Sequence, residues 1–570
     1  MLSVLEGSKV SLGALASREL AQAEMLIQPL ITTPEGNEIP DTEKEARHKM
    51  LIRNTELWSP VVDLPADPCN LQLRWTDTLG LNDSGGFKLR VEPIPDEAPS
   101  PYIQGSDRQL VLLEEETIEF QVAAEDDYGI REIGLDWRGE FTKPTDDSPA
   151  VGSLTLTTGT PNKIRLNSDA IFSPSVLGIT PQKLTLRAYA EDYYPQRGRV
   201  YSKPITLFIL TRDEHATMLK NQFDRIIGEL EDVARREQNQ FDENRRIERL
   251  DPEDIQSEQT QKRLQQQQQN EEDNTERMQK LAERMEELFK DSTRNGEINK
   301  DTMKKMADTL QNMQELSQQD MPEVTDQLSQ SQDQRSTAEQ AKSDVEKAIA
   351  EQKEVLEKMQ DTIAQANEAN RNFEASTFVN RLKRAASEED GIASRLINLI
   401  DNLIGLPIEE LDPADQRIIS ELTNQQRKTA SDIRWIQEDL GHFYARTQKE
   451  IHKELLLEMQ SSRIDTALDD NRQRIAENRT YQAITASKMW ADKIREWVAK
   501  LEGDQNQAGG GGGGGGGDQE DEDFEFMLKV MRMIQQEQDI RYRTRALEQL
   551  RRSLGLDDPD PQLEPQPTLN

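Results

Sequence analysis

The feature that most limits this chain's fold is a change of rhythm near residue 212. Up to about Arg212, apolar and polar residues alternate in short runs separated by Gly, Pro, Asn and Asp, the pattern of strands joined by turns. From about Asp213 the composition turns to Glu, Gln, Lys, Arg and Leu, and apolar residues recur at intervals of three and four, as in Leu219, Phe223, Ile226, Leu230 and Val233. A period of two and a period of 3.6 cannot share one regular element, and 570 residues exceed a single core, so the chain is multidomain.

Within the β-rich part lies an internal repeat. "LEGSKVSLGALAS", Leu5 to Ser17, superposes on "LEEETIEFQVAAE", Leu113 to Glu125, placing Val10, Leu12, Ala14 and Ala16 on Ile118, Phe120, Val122 and Ala124. Downstream, "LQLRWTDTLGL" from Leu71 matches "LRAYAEDYYPQ" from Leu186, and the closing strands "FKLRVEP" and "ITLFIL" follow. Two units of about a hundred residues with this strand density predict tandem immunoglobulin-like β-sandwiches, residues 1–97 and 98–212, joined by the proline-rich "EPIPDEAPSP". The second unit has a lead-in, "PSPYIQGSDRQLV", before its matching leucine, whereas the first has only Met1 to Val4. We therefore expect a reading frame clipped inside the first sandwich's opening strand; the alternative is a degenerate first strand.

Residues 213–505 predict a long helical coiled-coil or bundle region, with breaks at Pro252, Pro322, Pro407 and Pro413. Gln256 to Gln279 carries hardly any apolar stripe and reads as a solvated helix or a loop. Ile392 to Leu406 shows apolar residues on two helical faces, which places it at a bundle centre, with membrane-surface binding second. The stripes Ile433, Ile436, Leu440, Phe443 and Trp490, Ile494, Trp497, Leu501 read as helix contacts. Nine glycines, Gly509 to Gly517, lack the lysine of a phosphate-binding loop and form a tether within an acidic linker, 506–523. The tether carries an amphipathic helix, 524–556, with a stripe at Met527, Val530, Met531 and Ile534, able to dock back or capture another chain; 557–570 is a disordered tail.

Composition excludes several functions. A formal charge of −37, from 107 acidic and 70 basic residues, repels phosphate backbones and anionic lipids, so no nucleic-acid partner is expected. The single cysteine, Cys69, permits no intrachain disulfide and reads as a small core residue. The four histidines are scattered without ligand spacing. No window reaches the ~18 apolar residues of a spanning helix, and no signal peptide is visible.

One stretch carries candidate chemistry: "AAEDDYGIREIGLDW", Ala123 to Trp137. In a sandwich its turn could meet the turn after Ala190 at one pole, bringing Asp126 and Asp127, with Glu125, near Glu191 and Asp192. Calcium needs six to eight oxygens, which makes Asp126, Asp127 and Asp192 the candidate metal ligands and calcium the one candidate cofactor. Against this, the first repeat has Arg18 and Glu19 where the second has Asp126 and Asp127. Asp126 and Asp192 continue inward-facing rows, where a short carboxylate commonly accepts backbone N–H bonds and closes a turn, and that is the reading we favour. Ile133, Leu135 and Trp137 should enter the core. A carboxylate pair for hydrolysis would need both acids in one cleft, whereas adjacent Asp126 and Asp127 point to opposite faces of a strand. No nucleophile elbow, catalytic triad order or dinucleotide fingerprint is present, so no catalytic residue is assigned and the chain is not expected to be an enzyme.

The stretches "AAEDDYGIREIGLDW", "IPDEAPSP" and "DEHATMLKNQFDRIIGELEDVARRE", and the glycine run followed by "EFMLKVMRMIQQEQDIRYRTRALEQL", together resemble uncharacterised envelope proteins of planctomycete and verrucomicrobial bacteria. In that domain-of-unknown-function family, membrane helices precede immunoglobulin-like repeats and long coiled coils. The resemblance implies a periplasmic protein held to the inner membrane by an N-terminal anchor missing here; this sequence has no spanning segment, so a cytoplasmic location stays open. The resulting expectation is a structural or scaffolding protein whose sandwiches act as spacers and whose helices bind protein partners or self-associate. The alternative is an adhesion-type binding module with calcium-supported loops.

Overall fold

A computed structural model describes residues 1–32, 38–82, 85–142, 148–194, 197–333, 337–508 and 517–555, with backbone alone at 504–508 and 517–522. Most of the glycine tether and the C-terminal tail lie outside the described residues. The chain forms two compact units, Met1–Leu210 with Gln538–Asn570, and Thr211–Glu537.

The first unit is built from β-sheets. Its first half holds β1 (Leu2–Leu5), β2 (Lys9–Val10), β3 (Gly13–Leu15), β4 (Leu20–Thr32), β5 (Glu38–Pro40), β6 (Ala46–Lys49), β7 (Leu51–Arg53), β8 (Glu56–Trp58), β9 (Val62–Asp63), β10 (Cys69–Asp77) and β11 (Phe87–Ile94). The order β1-β11-β10-β4-β5, with β6 on β4, forms one sheet; β3-β8-β7 and β2-β9 form two small ones. The second half holds β12 (Ser100–Gln104), β13 (Gln109–Leu113), β14 (Ile118–Glu125), β15 (Ile130–Glu140), β16 (Val151–Thr158), β17 (Arg165–Phe172), β18 (Lys183–Asp192), β19 (Val200–Tyr201) and β20 (Ile205–Leu210). Here β12-β14-β17 lies in one sheet and β13-β20-β18-β15-β16, with β19 on β18, in another.

The repeat is visible in the pairing. β1 runs parallel to β11 with Leu5 opposite Ile94, and β13 runs parallel to β20 with Leu113 opposite Leu210. The same turn follows each, with Ser8 N–H donating to Leu5 O (3.1 Å) and Glu116 N–H to Leu113 O (2.9 Å). Alternation fills the cores as period two requires: Met25, Leu71 and Val91 in the first half, and Val122, Ile133, Leu135 and Trp137 in the second, where Trp137 meets Phe172 edge to face at 5.7 Å. Cys69 is a buried core residue, and its thiol is pushed up to about 11 by burial.

The second unit is helical: α1 (Arg212–Glu248), α2 (Pro252–Ile255), α3 (Glu258–Arg294), α4 (Lys300–Glu315), α5 (Met321–Gln330), α6 (Ala338–Asn398), α7 (Ile400–Leu403), α8 (Pro413–Thr447), α9 (Glu450–Ser462), α10 (Ile464–Ala476) and α11 (Thr480–Ala508). Thr211 starts α1 with a capping box closed by Glu214, which satisfies two backbone donors reciprocally. α1, α3, α4, α5 and the first part of α6 share one apolar core, and the next stretch of α6 shares a second with α8 to α11. The 61-residue α6 spans ~90 Å at helical rise and serves both cores. Pro252 and Pro413 sit at helix starts, as expected, but Pro322 breaks nothing. A π turn, Leu316–Asp320, widens the helix just before it and carries α4 into α5.

The glutamine-rich stretch is helical within α3, and its seam is polar: Gln267, Glu271 and Asn274 are buried at the spacing an apolar stripe would use. Between Ile392 and Leu406 one face is buried through Ile392, Leu396 and Leu403, while Ile404 and Leu406 are exposed, so the two-faced burial expected from the sequence does not occur. A last helix, α12 (Gly517–Ser553), divides between the units. In the helical unit it packs through Phe524 and Leu528, and in the β unit through Leu550; Met527 and Ile534 of the expected stripe are exposed. Among the described residues no helix is long and apolar enough to cross a membrane.

Candidate functional site

The acidic pole of the β unit forms where β14 turns into β15 and β18 runs toward β19. Asp126 N–H donates to Ile164 O at 2.9 Å, which extends the ladder beyond β14 and fixes the carboxyl over its own turn. Its Oδ2 accepts the N–H of Gly129 at 2.7 Å and of Tyr128 at 3.3 Å. A Cβ on residue 129 would lie 2.3 Å from the Pro161 carbonyl oxygen, so only glycine lets the chain pass there. Burial pushes the Asp126 carboxyl up, opposed by the two backbone N–H groups and reinforced by Asp127 and Asp192.

Asp192, 4% exposed, caps the second turn by accepting the Tyr194 N–H on Oδ1 at 2.9 Å. Its Oδ2 is 2.5 Å from Nη1 of Arg197. The same Nη1 donates to Asp96 Oδ2 and to Glu97 O, both at 2.6 Å, while Nη2 donates to Asp96 O at 2.6 Å. Burial pushes the Asp96 carboxyl up, with the Arg197 charge working against it. Desolvation disfavours the Arg197 cation, but Asp192 and Asp96 outweigh it and raise its basicity. Asp127 turns to the joint, accepting the Glu97 N–H at 3.3 Å, and Tyr194 Oη donates to Glu6 of the first repeat at 3.1 Å.

The candidate ligands Asp126, Asp127 and Asp192 thus lie at one pole but serve three purposes: Asp126 holds its own turn, Asp127 holds the joint, and Asp192 holds Arg197. The cation that Asp192 binds is the Arg197 guanidinium, shared with Asp96. The first repeat has the same device in another form. Asp77, aligned with Asp192, accepts the N–H groups of Leu79 and Leu81 at 2.9 and 2.8 Å, and its Oδ2 lies 3.8 Å from Arg18. Sequence reasoning read Arg18 as a departure from a ligand set and missed Arg197; the signal was an arginine available to each buried aspartate.

The helical unit holds two further clusters of buried acids that the sequence reading passed over. Glu237 of α1 accepts Nδ2 of Asn274 at 2.7 Å and Nε2 of Gln352 at 2.6 Å, and Gln352 accepts Nδ2 of Asn244 at 2.9 Å. Burial pushes the carboxyl of Glu271 of α3 well above the carboxylate range, and the neighbouring Glu237 adds to it. In the second cluster Gln426 of α8 donates to Glu389 of α6, and Asn471 of α10 donates to Gln426 at 3.0 Å and to Ser487 at 2.8 Å. Burial pushes Glu389 up to about 7, opposed by Ser487 and Gln426. Glu237, Glu271, Glu389 and their amide partners are sealed from solvent, which suits a register device rather than a reacting centre.

No family model matches this chain, and no curated protein matches it. Among solved structures, the chain is similar to fibronectin(III)-like modules of Clostridium thermocellum CbhA at 12% identity and TM-score 0.17, over 37% of this chain and 88% of that one. A second is Dpr2 Ig1-Ig2 in complex with DIP-Theta Ig1-Ig3, at 13% identity and TM-score 0.14, over 37% of this chain and 61% of that one. A third is the sporulation control protein Spo0M of Bacillus subtilis, at 13% identity and TM-score 0.16, over 22% of this chain and 54% of that one.

Proposed function

We propose that this chain is a non-enzymatic structural or scaffolding protein of the bacterial cell envelope. Its β repeats are tandem immunoglobulin-like sandwiches serving as a spacer, and its helices form a coiled-coil bundle that binds protein partners or self-associates. The placement in the envelope, periplasmic and held at the inner membrane by an anchor outside this sequence, follows the resemblance to planctomycete and verrucomicrobial proteins.

One observation carries the spacer reading. Arg197 of the second repeat binds Asp192 of its own turn and Asp96 and Glu97 of the joint, so the loops at this pole are used to hold one repeat against the next. Loops committed to internal bonds suit a fixed spacer better than a reader of ligands. The adhesion alternative has one observation in its favour: Asp126 Oδ1 is buried without a hydrogen-bond partner, as an unfilled ligand would be.

Calorimetric titration of the full chain with calcium separates the two. The spacer reading expects no saturable heat and no rise in melting temperature at millimolar calcium. A saturable heat that disappears in Asp126→Asn would overturn it in favour of the calcium-supported module.

A further inference from the structure

Inside the core that α1 and α3 share with the first part of α6, five polar side chains meet with no base among them. Glu237 accepts Nδ2 of Asn274 at 2.7 Å and Nε2 of Gln352 at 2.6 Å. Glu271 lies 3.5 Å from the same Gln352 nitrogen and is hydrogen-bonded to Glu237. Asn244 donates its Nδ2 to Gln352 Oε1 at 2.9 Å. All five residues are at most 2% exposed, and among the described residues no Lys, Arg or His pairs with either acid.

Every side-chain nitrogen of this layer already donates, and the groups left without a partner are all oxygens. Asn244 Oδ1, Asn274 Oδ1 and Glu271 Oε1 are buried and accept no hydrogen bond, and the same holds for the Oε1 atoms of Gln240 and Gln267, each within a turn of them on α1 and α3. Two carboxylates in hydrogen-bond contact share one proton, so the acid pair keeps a single negative charge. A buried charge without a counter-charge is costly. A water molecule supplies two donors and no charge, whereas one cation supplies the charge and takes several oxygens at once.

We infer that this layer binds one dehydrated potassium ion between α1, α3 and α6, held by Glu271 and by the side-chain oxygens of Asn244 and Asn274. Charge and ligand type choose the ion. A single positive charge balances the proton-sharing pair, and carboxylate and amide oxygens are hard ligands. Magnesium keeps several of its waters, for which a sealed layer leaves no place, while potassium exchanges its hydration shell for carbonyl-type oxygens. The ion enters as the helices assemble, so its binding is part of the stability of the helical unit.

The test follows urea unfolding of the full chain by far-ultraviolet circular dichroism in potassium chloride and in choline chloride, mixed at one ionic strength so that screening is constant. Once potassium exceeds its dissociation constant, each tenfold increase should raise the folding constant of the helical unit about tenfold, the response to one ion bound by the folded state alone. Rubidium, a potassium analogue counted by mass spectrometry, should stay with the chain after gel filtration into choline chloride. The double variant Glu237→Gln with Glu271→Gln removes the charge at nearly constant size and should abolish both effects, whereas Glu389→Gln, in the other core, should keep them. Equal stability in potassium and choline with no rubidium retained would overturn the proposal from the unaltered chain alone, leaving proton and water as the occupants. So would an ion dependence that survives in the double variant, or a stronger response to magnesium than to potassium.

Discussion

Arg197 sets one guanidinium nitrogen 2.5 Å from Asp192, a buried carboxylate at the end of β18, in the interior of the second repeat's larger sheet. Removing the cation leaves Asp192 and Asp96 buried without a counter-charge, which is costlier than never having built the pair. We expect Arg197→Ala to destabilise the β unit by about 3 kcal/mol, and Asp192→Asn in the same chain to recover part of that loss. Urea unfolding of the single and double variants measures both; additive losses would show that the two residues do not act as a pair.

Gly129 is fixed by proximity rather than by dihedral angle. Its Cβ position lies 2.3 Å from a backbone oxygen that no rotamer can move. Gly129→Ala should therefore cost about 1–3 kcal/mol by forcing the turn apart, and thermal melts of the β unit should record it.

Glu389 makes the stability of the helical unit depend on pH in a direction opposite to a salt-bridged acid. Its folded carboxyl holds a proton up to about 7, whereas the unfolded chain releases it near the ordinary value of about 4.3. The folded state binds more protons between those values, so this contribution is complete below about pH 4.3 and is lost as pH rises to 7. The loss is on the order of 3 kcal/mol. Glu389→Gln, which keeps a donor and an acceptor without a titrating proton, should flatten this dependence and be the more stable protein above pH 7, as followed by far-ultraviolet circular dichroism in urea.

Cys69 offers a reporter on the first repeat. It is 1% exposed and its thiol is pushed up to about 11, so thiolate and access are both lacking in the folded chain. Iodoacetamide at pH 8 should label it only at the rate at which the first repeat opens, with labelling accelerating sharply at that repeat's urea midpoint. Rapid labelling without denaturant would contradict the buried position.

Thr211 should matter through its cap alone. Thr211→Ala removes the acceptor for the Glu214 N–H and should cost about 1 kcal/mol, whereas Thr211→Ser should be near neutral. The two variants, compared by thermal melts of the helical unit, distinguish a lost cap from lost packing.

Local rules settled much of this chain from its residues alone. Alternation near Ile118 to Ala124 and three-and-four spacing from Leu219 to Val233 fix strand and helix, because burial of one face is decided by period. Matching Leu5 with Leu113 picked out equivalent positions, to which the structure gives equivalent pairings opposite Ile94 and Leu210. Asp126 as a turn cap was legible because the N–H groups that donate to it lie two and three residues away. What only the tertiary structure decided involves partners distant in sequence. Arg197 reaches Asp96 across about a hundred residues, and Glu237 meets Gln352 across a similar distance. Nor does any local rule reveal that the polar residues Gln267, Glu271 and Asn274 of α3 are buried. Periodicity states which face a residue takes; only the assembled chain states what it finds there.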